Sequence, residues 1–189
     1  MVKKGSKTEH NLMASFAGES QARSRYMMYA SVAKKEGFVQ IANIFTETAA
    51  QEFEHAKRFF RLLPGDPVEI TACYPSVIGD TAANLRAAAA GENEEHTKLY
   101  PEAAEIAEKE GFKEAAKQWQ EVAKVEQWHE ARYLKLLKNV EEGVVFKRGD
   151  KVYWKCINCG RIVEAKNAPL RCPACDHPQA HFELLAEAY

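Results

Sequence analysis

Two four-residue segments, Glu52-Phe53-Glu54-His55 and Glu126-Gln127-Trp128-His129, each place a glutamate and a histidine three positions apart. On a helix, positions i and i+3 share a face, so each segment aims one carboxylate and one imidazole at the same point. The segments are 74 residues apart (126 − 52, and equally 129 − 55). Each is preceded by a helical pattern with its own glutamate on the apolar stripe. This combination confines the chain to few architectures. It fits a four-helix bundle in which one Glu from each of two helices and a Glu-x-x-His pair from each of the other two converge on a pair of metal ions.

Taken in order, the chain supports that expectation. Lys7 to about Lys35 reads as a first helix, with Leu12, Phe16, Glu19, Arg23 and Tyr26 on one face. Taken alone, Glu19 reads best as the surface partner of Arg23. Gly37 suits a helix C-cap. A second helix runs from about Val39 to Leu63, with Ile41, Phe45, Glu52, His55 and Phe59 inward, and Pro64-Gly65-Asp66-Pro67 stops it. The segment from Pro64 to about Gly79 reads as a crossover connection, in which Cys73 is a bystander. Asp80 or Thr81 caps a third helix reaching about Lys109, with Glu92 and Glu95 on one face and Glu94 in solvent. Gly111 repeats the role of Gly37. The fourth helix spans Lys113 to about Asn139, with Trp119, Val122, Glu126, His129 and Tyr133 aligned. Glu142-Gly143 ends the bundle.

Shifted by 74 positions, Tyr26 to Leu63 aligns without a gap on Tyr100 to Leu137. Tyr26/Tyr100, Glu36/Glu110, Gly37/Gly111, Phe38/Phe112, Glu47/Glu121 and Arg58/Arg132 are identical. One helical hairpin, duplicated and paired with itself, has an approximate two-fold axis through its core. The halves differ at one point: Glu19 precedes Tyr26 by seven positions, whereas Glu92 precedes Tyr100 by eight. One extra residue in a helix is what a π-bulge absorbs, so a bulge is expected between Glu92 and Tyr100. Glu95 has no acidic counterpart, because Gln21 stands at the matching offset.

The candidate ligand shell is Glu19, Glu52, His55, Glu92, Glu95, Glu126 and His129. Carboxylate oxygens suit hard cations and imidazole suits iron. Convergent buried carboxylates without a cation would be very costly. The chance alternative is a charged bundle face with fortuitous spacing. Elsewhere the composition excludes more than it suggests. With a formal net charge of -1, no general affinity for nucleic acid is expected. No apolar run is long enough to cross a bilayer, and the basic N-terminal residues are not followed by an apolar signal segment. A cytoplasmic location is expected.

From Lys151 the character changes. Val152 to Lys155 reads as a strand. Cys156-Ile157-Asn158-Cys159 and Cys172-Pro173-Ala174-Cys175 are two CxxC knuckles, the pattern that grips one tetrahedral metal with four thiolates. So small a module needs such a staple. The spacing suits either iron or zinc; a neighbouring di-iron site favours iron, because a one-electron carrier is useful there. The domain reading is a bundle over 1–142, a linker over 143–150 and the metal module over 151–189.

Over nearly its whole length the chain resembles the rubrerythrins. The resemblance rests on Ala17-Gly18-Glu19-Ser20-Gln21-Ala22-Arg23, the Glu52/His55 and Glu126/His129 pairs, Gly91-Glu92-Asn93-Glu94-Glu95-His96-Thr97 with Tyr100-Pro101, and the paired knuckles with Ala168-Pro169 and His177-Pro178. Asp176 departs from an ordinary rubredoxin, which tends to have glycine after the second knuckle. The resemblance implies a ferritin-like di-iron four-helix bundle with a small, β-rich, rubredoxin-like module. It implies reduction of hydrogen peroxide to water in oxidative stress defence, in a homodimer. Glu52 and Glu126 are expected to bridge the irons, with the other five as terminal ligands, and Glu95 and His55 exchange as ligands in the resembling family. Tyr26 and Tyr100 are expected to hydrogen-bond ligand carboxylates and, with Glu95, to act in the reaction; ordinary packing is the alternative for both tyrosines. No GxGxxG fingerprint occurs, so electrons are expected from an external donor, a rubredoxin or an NAD(P)H-dependent reductase. Iron storage, which needs no dedicated electron donor, and oxygen-activating hydroxylation remain the competing readings.

Overall fold

The computed structural model describes residues 2–187. Its bundle consists of four helical rods. α1 (Lys7–Lys35) and α2 (Val39–Leu62) form one hairpin. α3 (Thr81–Glu94), a π-helical turn (Glu95–Leu99) and α4 (Tyr100–Lys109) make one continuous rod, which pairs with α5 (Lys113–Glu141). The π-turn lies where the seven-against-eight mismatch of the repeat requires an extra residue.

Local chemistry explains the boundaries. The Ser6 side chain accepts from Glu9 N at 3.1 Å to cap α1, and Asp80 Oδ1 accepts from Ala83 N at 2.8 Å to cap α3. The two hairpin turns are copies of each other. Gly37 and Gly111 adopt φ of +86° and +85°, left-handed values that favour glycine. Beyond each, Phe38 N donates to Ala33 O and Phe112 N to Ala107 O, both at 2.8 Å, closing the same C-terminal motif. The halves are then tied reciprocally. Glu110 accepts from Lys7 N at the start of α1 (3.1 Å), and its repeat mate Glu36 accepts from Thr81 N at the start of α3 (2.9 Å).

Two apolar clusters fill the bundle. One contains Tyr26, Tyr29, Phe45, Leu85 and Tyr133; the other contains Leu12, Phe59, Tyr100, Trp119 and Val122. Each cluster contributes one tyrosine to the polar centre. Among the described residues no helix is long and apolar enough to cross a membrane.

The C-terminal module is a three-stranded antiparallel sheet in the order β2-β1-β3, with β1 at Lys147–Cys156, β2 at Ile162–Asn167 and β3 at Phe182–Leu184. Strand β1 starts within the stretch read as linker: Lys147 already pairs with Asn167, across an irregularity that ends at Val152. The small core is Trp154, Cys156, Ala168, Cys172 and Phe182. Phe146 stacks on Phe38 from the first hairpin turn, with centroids 6.2 Å apart and ring planes 7° apart. The module is thereby seated against the bundle.

Candidate metal centres

Six of the seven expected bundle donors converge. Glu19, Glu52, His55 and Glu126 form one group whose donor atoms all lie within 4.8 Å of one another, and Glu52, Glu92, Glu126 and His129 form a second. Glu52 and Glu126 belong to both groups. His55 Nδ1 lies 3.0 Å from Glu52 Oε2, 2.9 Å from Glu126 Oε1 and 3.7 Å from Glu19 Oε2. His129 Nδ1 lies 2.7 Å from Glu126 Oε2, 3.2 Å from Glu52 Oε1 and 3.8 Å from Glu92 Oε1. The arrangement therefore repeats across the axis.

Apart from the hydrogen bond between His55 Nδ1 and Glu52 Oε2, these donors aim past one another rather than at one another. Glu19 Oε2, Glu52 Oε1, Glu92 Oε2, both oxygens of Glu126, and His129 Nδ1 are buried without a hydrogen-bond partner among the described residues. Short N–O approaches without hydrogen-bond alignment are what ligands of a common ion show. Two donors bound at right angles to one ion at about 2.1 Å stand roughly 3.0 Å apart. The residues present thus fit a pair of cations, with Glu52 and Glu126 placed between them.

The tyrosines complete the terminal carboxylates. Tyr26 Oη donates to Glu92 Oε1 and Tyr100 Oη to Glu19 Oε1, each at 2.5 Å. Each glutamate keeps its second oxygen for the centre. Burial, with Glu92 beside Tyr26 and Glu19 beside Tyr100, pushes both phenols well above their usual range, so they remain neutral donors.

Without cations, protons take up the charge. Burial pushes Glu19 well up and Glu92 to about 8, with the Glu52 carboxylate adding to both. For Glu52 burial acts upward too, but the His129 and His55 rings beside it prevail and hold it at about 2. Burial opposes protonation of His129, yet Glu126, Glu52 and Glu92 raise it to about 12; His55 is raised likewise by Glu126, Glu19 and Glu52.

Glu95 is the exception. It opens the π-turn and belongs to neither donor group; instead it lines an adjacent cavity together with Tyr100. His55 holds the inward position. Burial and the charges of Glu19 and Glu92 push the Glu95 carboxyl well up, as expected for a group beside the same cluster. Glu94 is exposed, as is Cys73. The structure adds supports that spacing does not reveal. Gln51 Oε1 lies 3.0 Å from His129 Nε2 and orients that ring. Its repeat mate is Val125, so the duplication gives no hint of it. Glu130 holds the π-turn by accepting from Asn93 at 3.0 Å and pairing with His96 Nε2 at 2.6 Å. Their only sequence signal is adjacency to Glu92, Glu95 and His129.

In the small module the Sγ atoms of Cys156, Cys159, Cys172 and Cys175 all lie within 4.8 Å of one another. Cys156 and Cys175 are 3.8 Å apart, and Cys159 and Cys172 are 3.6 Å apart. These separations are far too long for disulfides. They match the edge of a tetrahedron with metal–sulfur bonds of about 2.3 Å, roughly 3.8 Å. The knuckles superpose in kind: Gly160 N donates to Cys156 O at 2.8 Å, and Asp176 N to Cys172 O at 2.9 Å. Gly160 has φ of +79°, and Asp176 adopts +57° in the same role. Aspartate tolerates that region better than most residues, and Arg171 Nη1 holds its carboxylate at 2.9 Å. The backbone of His177 pulls the Cys175 thiol down to about 6, favouring the thiolate.

The fold and sites together define a ferritin-like di-iron protein with carboxylate and histidine donors and a four-cysteine, rubredoxin-like site. The family model described as Rubrerythrin matches residues 10–137, and that described as Rubrerythrin, rubredoxin-like domain matches residues 154–183. The chain is 62% identical to rubrerythrin of Porphyromonas gingivalis over 98% of its own length and 94% of the relative's. It is 53% identical to rubrerythrin of Nitratidesulfovibrio vulgaris over 96% of each. Among solved structures, fully reduced, all-ferrous nigerythrin aligns with a TM-score of 0.64 at 30% identity, covering 97% of this chain and 89% of that one. The chain belongs to the rubrerythrin family.

Proposed function

We propose that this protein is a peroxidase that reduces hydrogen peroxide to water, with electrons entering through the four-cysteine site. The observation that carries the reading is the coexistence, in one chain, of a buried donor set for two ions and a tetrathiolate site. A site that only stores or oxidises iron has no use for a dedicated one-electron carrier. When bound, a ferrous pair would supply the two electrons that, with two protons from solvent, convert hydrogen peroxide to two waters, and the thiolate iron would return electrons singly.

The protein's own residues hold and tune that chemistry. Glu52 and Glu126, shared by the two donor groups, would serve both ions; Glu19 and His55 would complete one ion's set and Glu92 and His129 the other's. Cys156, Cys159, Cys172 and Cys175 would hold the third iron. Tyr26 and Tyr100 fix the terminal carboxylates through their hydroxyl protons. Glu95 is surplus to the set that binds two ions. As an added anion it would favour the oxidised centre, and the family resemblance implies that it takes the position of His55 there; its place beside the cluster but outside both donor groups supports this role. The bundle over 1–142 and the four-cysteine module, whose first strand starts at Lys147, act as donor-linked parts of one enzyme. The wider setting rests on the family resemblance: a cytoplasmic homodimer, supplied by a rubredoxin or an NAD(P)H-dependent reductase, acting in oxidative stress defence.

The test is to reduce the iron-loaded protein anaerobically and mix it with peroxide or with air-saturated buffer in a stopped-flow instrument. The reading requires reoxidation by peroxide to be much the faster. Faster reoxidation by dioxygen would favour an oxidase.

A further inference from the structure

Beneath the crossover connection lies a cavity of about 420 Å³, within the range of small-molecule sites. Its apolar wall is formed by Ala14, Leu99, Ala103 and Ile106, and Tyr74 lies over it, donating from its hydroxyl to Ala14 O at 2.8 Å. Arg25 also lines this cavity and is only 7% exposed. Among the described residues its guanidinium makes one hydrogen bond, from Nε to Gln21 Oε1 at 2.6 Å, and forms no ion pair. Nη1 is buried without a partner. The Tyr26 ring, 5.7 Å from the guanidinium carbon, offers cation–π attraction but no acceptor.

An arginine remains charged at any ordinary pH, and a buried charge without a counter-ion is costly. With Nε tied to Gln21, the terminal nitrogens are left without an acceptor among the described residues, and a carboxylate accepting a charge-assisted hydrogen bond would supply one. Glu94 and Glu102, both exposed, and Glu95 also line the cavity and disfavour an occupant with more than one negative charge. The apolar wall calls for an apolar body.

We propose that this cavity is a binding site for a small organic monocarboxylate, its acid group held by Arg25 and its apolar part against Ala14, Leu99, Ala103 and Ile106. None of the residues in the two metal donor groups lines the cavity, although Glu95 and Tyr100 beside them do, and the proposal does not depend on the peroxidase reading.

Calorimetric titration of the iron-loaded, full-length protein with benzoate and with its neutral counterpart benzamide tests the proposal. Saturable binding of benzoate, at least tenfold tighter than benzamide, is expected. The visible absorbance of the oxidised di-iron centre should not change, which separates the cavity from direct ligation to iron. Arg25→Gln should weaken benzoate at least tenfold. Ala14→Leu, which leaves Arg25 in place, should weaken benzoate more than acetate. Equal affinity for benzamide, no saturable benzoate binding, or binding that alters the di-iron spectrum and ignores Arg25→Gln would each overturn it. The benzoate–benzamide comparison needs no variant and stands even if Arg25→Gln fails to fold.

Discussion

Tyr26 and Tyr100 occupy equivalent places across the approximate two-fold axis of the bundle, and each donates its hydroxyl proton to a glutamate of the opposite half, Glu92 and Glu19, at 2.5 Å. The same exchange recurs in His55 with Glu126 and His129 with Glu52, and in Glu110 with Lys7 and Glu36 with Thr81. A duplicated hairpin therefore builds one site from two half-sites, each oriented by the other.

If the tyrosines position the terminal carboxylates, removing either hydroxyl should loosen iron without unfolding the bundle. Tyr26→Phe and Tyr100→Phe should each hold iron about 10–100-fold less tightly, the usual scale for loss of a hydrogen bond to a ligand. Competition with a chelator measures this. The symmetry predicts effects of similar size, and unchanged retention in both variants would leave the tyrosines as packing residues.

Removal of the metal should make stability fall with rising pH. Glu92 is raised to about 8 and His129 to about 12 in the folded, metal-free protein. Their unfolded values are near 4.3 and 6.5. Between the unfolded and folded values the native state binds more protons, so stability declines as pH rises. Both groups act in that direction through the range from pH 6.5 to 8. The metal-free protein should therefore melt at a lower temperature at pH 8.5 than at pH 6, whereas the loaded protein, whose ligands are already deprotonated, should show little such slope. Thermal melts of both forms at the two pH values decide it.

Much of this was legible in the sequence, for identifiable reasons. The two Glu-x-x-His pairs and the 74-residue offset are covalent spacings, and a helix converts spacing directly into direction. The π-turn at Glu95–Leu99 follows from counting seven residues against eight. Two CxxC knuckles state their own ligand set. Contacts between distant elements were not legible. Gln51 behind His129, Glu130 under the π-turn and the unpaired Arg25 depend on which helix faces meet, and none is mirrored by the repeat. The inward position of His55, with Glu95 outside both donor groups, is a choice of side-chain conformation that spacing leaves open.

Asp176 offers a test of local strain. It holds φ of +57° where its counterpart Gly160 holds +79°. A β-branched residue at this position would be destabilising by roughly 1–2 kcal/mol, whereas glycine relieves the conformation and loses only an exposed contact with Arg171. Asp176→Gly should leave the module at least as stable as the parent, and Asp176→Val should release thiolate-bound metal more readily on heating. Loss of the thiolate iron absorbance with temperature reports both.

The role of the thiolate site separates two kinds of turnover. Cys172→Ser should abolish peroxide reduction driven by an external reductase, because one of the four sulfur ligands is gone. It should spare a single turnover by chemically reduced protein, since the bundle donors are untouched. Retention of reductase-driven turnover would make the module purely structural.

The central claim is that six residues hold two irons and that Glu95 serves the reaction rather than the binding. The direct measurement is iron per chain together with the peroxide reoxidation rate, for the parent, Glu92→Ala and Glu95→Ala proteins side by side. The parent should hold about three irons, one of them on thiolates. Glu92→Ala should lose bundle iron. Glu95→Ala should keep nearly all of it and react with peroxide much more slowly. A Glu95→Ala protein with full iron and an unchanged rate, or a Glu92→Ala protein with all its iron in place, would contradict the account.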